Sequence, residues 1–274
     1  MPPLEEKAVR AEEAWPLDAQ LYQPPEKNQL LLAESASCLA VKTYLRMCNL
    51  PFSERVCDNA EFMSPGGRLT HLPLLRLGPV KTFAEFEPIV EQVESMRAGN
   101  SLSSWMSEDQ RDDMRCVLNR VENVFTLAEM HMSYVDTINY QLYTAPRTGA
   151  AHPWPLSMIR RLAKQKDAHK ILQVYQWQDM DNDEVLHQVG SCVDSLISQL
   201  EEHPAEEFLC GPKPCELDAL VFGHVTAILT TKLPNMELAE ILATYRRLLA
   251  HCHSIDWNLF GGLLLSGGER EEHK

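Results

Sequence analysis

Along the second half of the chain, apolar residues recur at the spacing of helices. In residues 214–232, PCELDALVFGHVTAILTTK, Leu217, Leu220, Val221, Val225, Ile228 and Leu229 fall three or four positions apart, which lays a continuous stripe along one helix face. The turn-rich FLCGPKP precedes this run. Asp218 stands three residues after Cys215, where a carboxylate can reach back to the free amides of a first turn. The same periodicity predicts helices over residues 109–135, 156–177, 185–200 and 237–253, with a proline-rich break, TAPRTGAAHPWPL, before the second of them. The first half reads differently. AQLYQPP and NQLLLAE are short apolar runs on either side of Pro24 and Pro25 and predict an edge strand or hairpin. A helix over residues 35–49 follows, capped by Ser35 or Ser37 and ended at Asn49-Leu50-Pro51. PFSERVCD predicts a strand and residues 59–71 a loop. Residues 72–77 and 80–83 predict a hairpin around Gly78-Pro79, and residues 86–98 a closing helix.

Composition narrows the function classes. A chain of 274 residues with 45% hydrophobic and 23% charged residues is globular and long enough for two domains. A net charge of −14 lacks the basic footprint of a nucleic-acid binder, and it argues weakly against general attraction to anionic lipid. The eight cysteines are scattered without a CxxC pair, which predicts free thiols in a reducing compartment. The run His251-Cys252-His253 sends adjacent side chains to different helix faces, so no metal site is expected. No stretch reaches the ~20 apolar residues that cross a bilayer. The nearest, LFGGLLL at residues 259–265, either packs on its domain or dips into an interface, although it lacks a basic polar face. Glu5, Glu6, Glu12 and Glu13 stand against Lys7 and Arg10 at the N-terminus, a balance unlike an arginine-rich matrix presequence.

The order β-α-β, loop, β-β-α followed by helices resembles the glutathione-transferase arrangement, an α/β domain of thioredoxin fold and then an all-α domain. The boundaries expected are a flexible segment over 1–14, the thioredoxin-like domain over 15–100, the helical domain over 101–255 and a tail over 256–274. Pro73, Cys215 and Asp218 are the structural markers: the resemblance puts Pro73 at the fold's cis-proline, which would turn the Leu72 backbone towards a ligand over the sheet. Glutathione transferases activate a thiol from a Tyr, Ser or Cys at the start of the first helix, where Ser37 and Cys38 lie here. However, the run SCLAVK lacks the CPFxxR pattern of the cysteine classes. Where those enzymes place Glu-Ser to hold the glutamyl carboxylate, this chain has Glu85-Phe86. Phenylalanine has no hydroxyl to donate, and its ring is expected to fill the carboxylate's space. No catalytic residue and no cofactor are therefore assigned.

Four segments carry a more specific resemblance: SCLAVKTYLRMCNLPF at residues 37–52, NAEFMSPGG at 59–67, HPWPL at 152–156 and ELDALVFGHVTAILTTKL at 216–233. Together they are similar to the metaxin family. One departure is Cys215, where the family has threonine in its PTELD turn; losing an oxygen cap costs about 1 kcal/mol. The resemblance implies a non-enzymatic protein on the cytosolic face of the mitochondrial outer membrane, bound there peripherally. It implies a place in protein import, as part of the sorting and assembly machinery. The partners implied are a membrane-anchored, metaxin-1-like protein, the β-barrel insertase and β-barrel precursors, with no nucleic acid. Candidate contact residues are Phe62, Met63, Trp105 and Trp154, since aromatic anchors are enriched at interfaces. The alternatives are a glutathione- or thiol-dependent transferase using Cys38 or Ser37, and a mitochondrial scaffold or motor adaptor.

Overall fold

The computed structural model describes residues 14–58, 60–63, 72–97, 101–202 and 207–265. The expected N-terminal segment, except Ala14, lies outside them, as do most of the loop over residues 59–71 and the last nine residues of the expected tail.

Four short strands, β1 (Gln20–Gln23), β2 (Ser53–Val56), β3 (Leu74–Leu77) and β4 (Lys81–Ala84), form one sheet in the order β2-β1-β3-β4. β2 runs parallel to β1, with Gln20 opposite Ser53, whereas β3 is antiparallel to both β1 and β4. That is thioredoxin topology. The parallel pair needs a crossover, and α1 (Leu32–Met47) supplies it. α1 buries Val41, Tyr44 and Leu45 in the same core as Leu21, Leu75 and Leu77 of the sheet. β2 is fully exposed at the sheet edge, where its shortness and its charged Glu54 and Arg55 discourage further pairing. α2 (Phe86–Met96) closes the domain, and the Leu72–Pro73 peptide is cis.

The run NQLLLAE is not a strand. Its last residues open α1 three residues earlier than the serines suggested, because Glu34 reaches back and accepts from Leu31 N–H at 3.0 Å. Ser35 and Ser37 are thereby helix interior, not caps.

The helical domain begins with α3 (Glu108–Tyr134), started by a reciprocal box: Ser107 Oγ accepts from Gln110 N–H at 3.2 Å, and Gln110 Oε1 accepts from Ser107 N–H at 3.0 Å. After it come α4 (Thr137–Asn139), a π turn (Tyr140–Thr144) and α5 (Ala145–Gly149), so the expected proline-rich break narrows to residues 150–155. Pro146 is tolerated because the first turn of α5 needs no amide from it. α6 (Leu156–Val174), α7 (Asn182–Glu202) and α8 (Glu216–Thr230) follow. The helix expected over residues 237–253 is two, α9 (Glu237–Thr244) and α10 (Arg246–Phe260), broken at Tyr245. α10 also runs beyond residue 255, where a tail was expected to start.

α8 corrects the one-face pattern. Every residue from Glu216 to Ile228 is buried, so this helix is the axis of the domain and not a surface helix with one apolar stripe. One of its polar side chains is paired across the interior: His224 Nδ1 lies 2.7 Å from Glu129 Oε1 of α3, and burial pushes the Glu129 carboxyl above the ordinary range. LFGGLLL packs on the domain. Phe260 stacks on Phe222 at 5.5 Å, Arg46 covers the Phe260 ring at 4.2 Å, and buried Asp256 accepts from Leu265 N–H at 2.9 Å.

Asp136 ties α4 to its surroundings. Its carboxyl accepts from Asn139 N–H at 2.8 Å, Asn235 Nδ2 at 2.9 Å and Asn182 Nδ2 at 3.3 Å. Burial pushes this acid up, but the hydrogen bonds together outweigh burial and hold it below its ordinary 3.8. Asp136→Ala should therefore cost about 1–2 kcal/mol at pH 7. The folded pKa is the lower one, so the wild-type advantage is complete above the unfolded value and fades as pH falls through the folded one. Urea unfolding of both proteins from pH 7 to pH 3 checks this; a gap independent of pH would refute it.

Candidate functional site

The position of a thiol-activating residue is the first place to look for chemistry. Because α1 begins at Leu32, Cys38 sits in its second turn, away from the free amides that would lower a thiol pKa. It is buried with Leu30, Ala60, Leu72 and Leu74, and that apolar enclosure drives its thiol far above the ordinary range. Above it, between Leu72 and Ala60 on one side and Arg147, Arg160 and Lys164 on the other, the cleft between the domains narrows to about 20 Å³. That is room for one water at most and falls far short of the roughly 300 Å³ of an ordinary ligand pocket. Glu34 and Lys164 clasp it shut with an ion pair of 3.3 Å. A wider cleft of about 440 Å³, within the size of a ligand pocket, runs along the other flank of α1 from Gln23 and Lys42 to Thr226 and Leu264, and Ser35 and Cys38 form part of its wall.

Glu85 has the positive φ of 72° at the start of α2, and Phe86 follows it as the chain predicts. The ring, however, does not fill a carboxylate site. It turns into the core and meets Tyr44 edge-on at 6.0 Å. The hydroxyl donor is still missing.

Alkylation checks the state of the thiols. Cys116 is exposed and should react with iodoacetamide in the native protein, while Cys38 should react roughly tenfold or more slowly until urea is added. Equal native rates, read by peptide mass spectrometry, would show a reactive Cys38.

The candidate contact residues divide into two groups. Trp154 is 80% exposed, two residues before α6, and Phe62 and Met63 are 39% exposed. Arg160 of α6 lies 4.5 Å over the Phe62 ring, so the structure brings the loop before Pro73 and the segment after HPWPL onto one surface. Trp105 is not part of it; its ring packs half-buried on the main core. Residue spacing did not reveal the rest of that surface. Leu156, Met158, Ile159 and Leu162 of α6 are all exposed, beside Ile138 and Leu142 of the preceding segment, which Tyr140 Oη ties to α6 through Gln165 at 2.9 Å. What this arrangement can do is bind a surface; among the described residues no cluster could hold a metal ion, and no helix is long and apolar enough to cross a membrane.

Known proteins resembling this chain fit these features. A family described as "Outer mitochondrial membrane transport complex protein" matches residues 38–165, and "Glutathione S-transferase, C-terminal domain" matches residues 189–255. Human metaxin-2 is 36% identical over 252 residues, covering 92% of each chain. The chain belongs to the metaxin family. Metaxin-1 of Macaca fascicularis is a more distant relative, 25% identical over 79% of this metaxin and 68% of its own length. Among solved structures, glutathione transferase GSTFuA3 from Phanerochaete chrysosporium superposes with a TM-score of 0.53 at 12% identity, covering 85% of this chain and 97% of the other. That likeness shows the glutathione-transferase-like fold alone. In this metaxin the fold keeps the cis bond at Pro73 and the α8 turn at Asp218, yet encloses Cys38 in apolar side chains.

Proposed function

We propose that this metaxin is a non-enzymatic subunit of the mitochondrial outer-membrane sorting and assembly machinery, acting in the import and insertion of β-barrel proteins. It would sit at the cytosolic face, held by docking to a membrane-anchored, metaxin-1-like partner, and would keep the β-barrel insertase ready for precursors. The observation that carries the reading is the match to human metaxin-2 along 92% of both chains, supported by the transport-complex segment at residues 38–165. The buried, protonated Cys38 adds support, because it removes one of the two nucleophiles of the thiol-transferase alternative. The exposed surface around Trp154 and α6 gives a docking protein what it needs, apolar area already outside.

Affinity purification of the tagged chain from gently solubilised mitochondria, with partners quantified, tests the proposal. Near-stoichiometric recovery of an anchored metaxin with the insertase is expected, together with no retention on glutathione resin. Recovery of the protein alone and away from mitochondria would overturn it.

A further inference from the structure

The first half of α6 contains no buried residue, an unusual condition for a helix with so much apolar surface. Leu156, Met158, Ile159 and Leu162 are each between 44% and 59% exposed. The buried residues, Ala168 and Leu172, lie in the far half, while the first half meets the protein through Lys164 paired with Glu34 and Arg160 over the Phe62 ring. A surface helix ordinarily turns polar residues outward. Here the outward side is mixed in a particular way. Its N-terminal part is apolar and preceded by the exposed Trp154, and one to two turns further along stand the exposed Lys166 and Lys170, with the exposed acid Asp167 between them. Neither lysine has an ion-pair partner among the described residues.

Charge sets α6 apart as well. Residues 156–174 contain five Lys and Arg (160, 161, 164, 166 and 170) against the single acid Asp167, a local balance of +4 in a chain of net −14. A net charge describes solubility, but attraction to a surface is decided by the charges that face it. Exposed apolar side chains, a tryptophan and lysines with long aliphatic stems on one side of a helix form the composition of an element lying in a lipid interface. Tryptophan settles at the headgroup level, while each lysine gains from anionic headgroups.

We propose that the outward side of α6, from Trp154 to Lys170, rests on an anionic phospholipid surface and orients this metaxin on the membrane. The inference rests on the outer-membrane placement proposed above and adds a direct lipid contact to it. Leu156, Met158, Ile159 and Leu162 enter the boundary between headgroups and acyl chains, and Lys166 and Lys170 remain among the phosphates.

Co-sedimentation of the full chain with vesicles tests it, using phosphatidylcholine alone and phosphatidylcholine mixed with phosphatidylinositol. The wild type should bind the anionic vesicles, and added salt should weaken the binding. The double variant Lys166→Glu, Lys170→Glu should bind about tenfold or more weakly. Ile159→Ser with Trp154→Ser should lose binding too, with an unchanged circular dichroism spectrum because both positions are exposed. Wild-type protein that ignores anionic vesicles, or binding indifferent to both pairs of substitutions, overturns the inference. The same variants in cells separate the two readings. If they lose the metaxin partner but keep vesicle binding, the surface belongs to a protein and the lipid inference falls while the assembly role stands. If vesicle binding depends on α6 but no metaxin is recovered with the wild type, the lipid inference stands and the assembly role falls.

Discussion

Asp218→Ala should lower the stability of the folded chain by about 4 kcal/mol, since each buried donor left without an acceptor costs about 1–3 kcal/mol. The carboxyl is completely buried and serves three donors: Oδ1 accepts from Leu209 N–H at 2.8 Å, and Oδ2 accepts from Cys215 N–H at 2.8 Å and Cys215 Sγ–H at 3.1 Å. It therefore starts α8 and also pins the turn before it. His251 Nε2 stands 3.2 Å from Oδ1 but out of hydrogen-bond alignment, so the backbone donors dominate. Asn is no remedy. Both oxygens accept from amides, and an NH₂ in either place would face an N–H. The Cys215 thiol remains protonated, first through its bond with Cys210 and then through burial, and it acts as a further donor to this acid instead of as a cap. Urea midpoints with an unchanged slope measure the loss. A loss below about 1 kcal/mol would mean that the turn finds other acceptors.

Gly223→Ala should destabilise the seam between the two domains, by a net of about 2 kcal/mol or more. In an exposed helix the same change would gain about 1 kcal/mol of propensity. Here α8 crosses α1 at Gly223, and an added Cβ would lie 2.5 Å from Ala40 N and 2.6 Å from Ala36 O. Those two atoms belong to the hydrogen-bonded ladder of α1, so no rotamer relieves the clash and the helices must part. Overpacking of that kind costs about 3 kcal/mol, which exceeds the propensity gain. Gly190→Ala in α7 is the control. Its Cβ would meet Tyr245 Oη at 3.1 Å and Ile241 Cδ1 at 3.8 Å, both far ends of side chains, and the change should stay within about 1 kcal/mol of neutral. If Gly223→Ala unfolds no earlier than Gly190→Ala, the close crossing is not a determinant of stability.

Much of this was legible in the chain because local signals agreed with the final environment. The turn FLCGPKP with Asp218 marks the start of α8, and β1 and β3 follow from short apolar runs near Pro and Gly. Where reading failed, the deciding partner lay far away in sequence or left no local mark. Two serines near residue 35 outweighed Glu34 as start signals, although Glu34 makes the bond that opens α1. Tyr245 breaks a helix with neither Pro nor Gly to announce it.

The sequence by itself determined the order of the four strands and the longer helices and the absence of a hydroxyl at Phe86, because periodicity and residue chemistry are properties of neighbours. Only the tertiary structure decided that α8 is buried on every side, that Glu129 faces His224 across 95 positions, and that Phe62 lies beside Arg160. It also decided that the large apolar residues in the first half of α6, which any pattern would assign to a core, remain outside. A hydrophobic pattern tells which side chains water disfavours; which of them escape water within the chain, and which need another surface, depends on contacts made from afar.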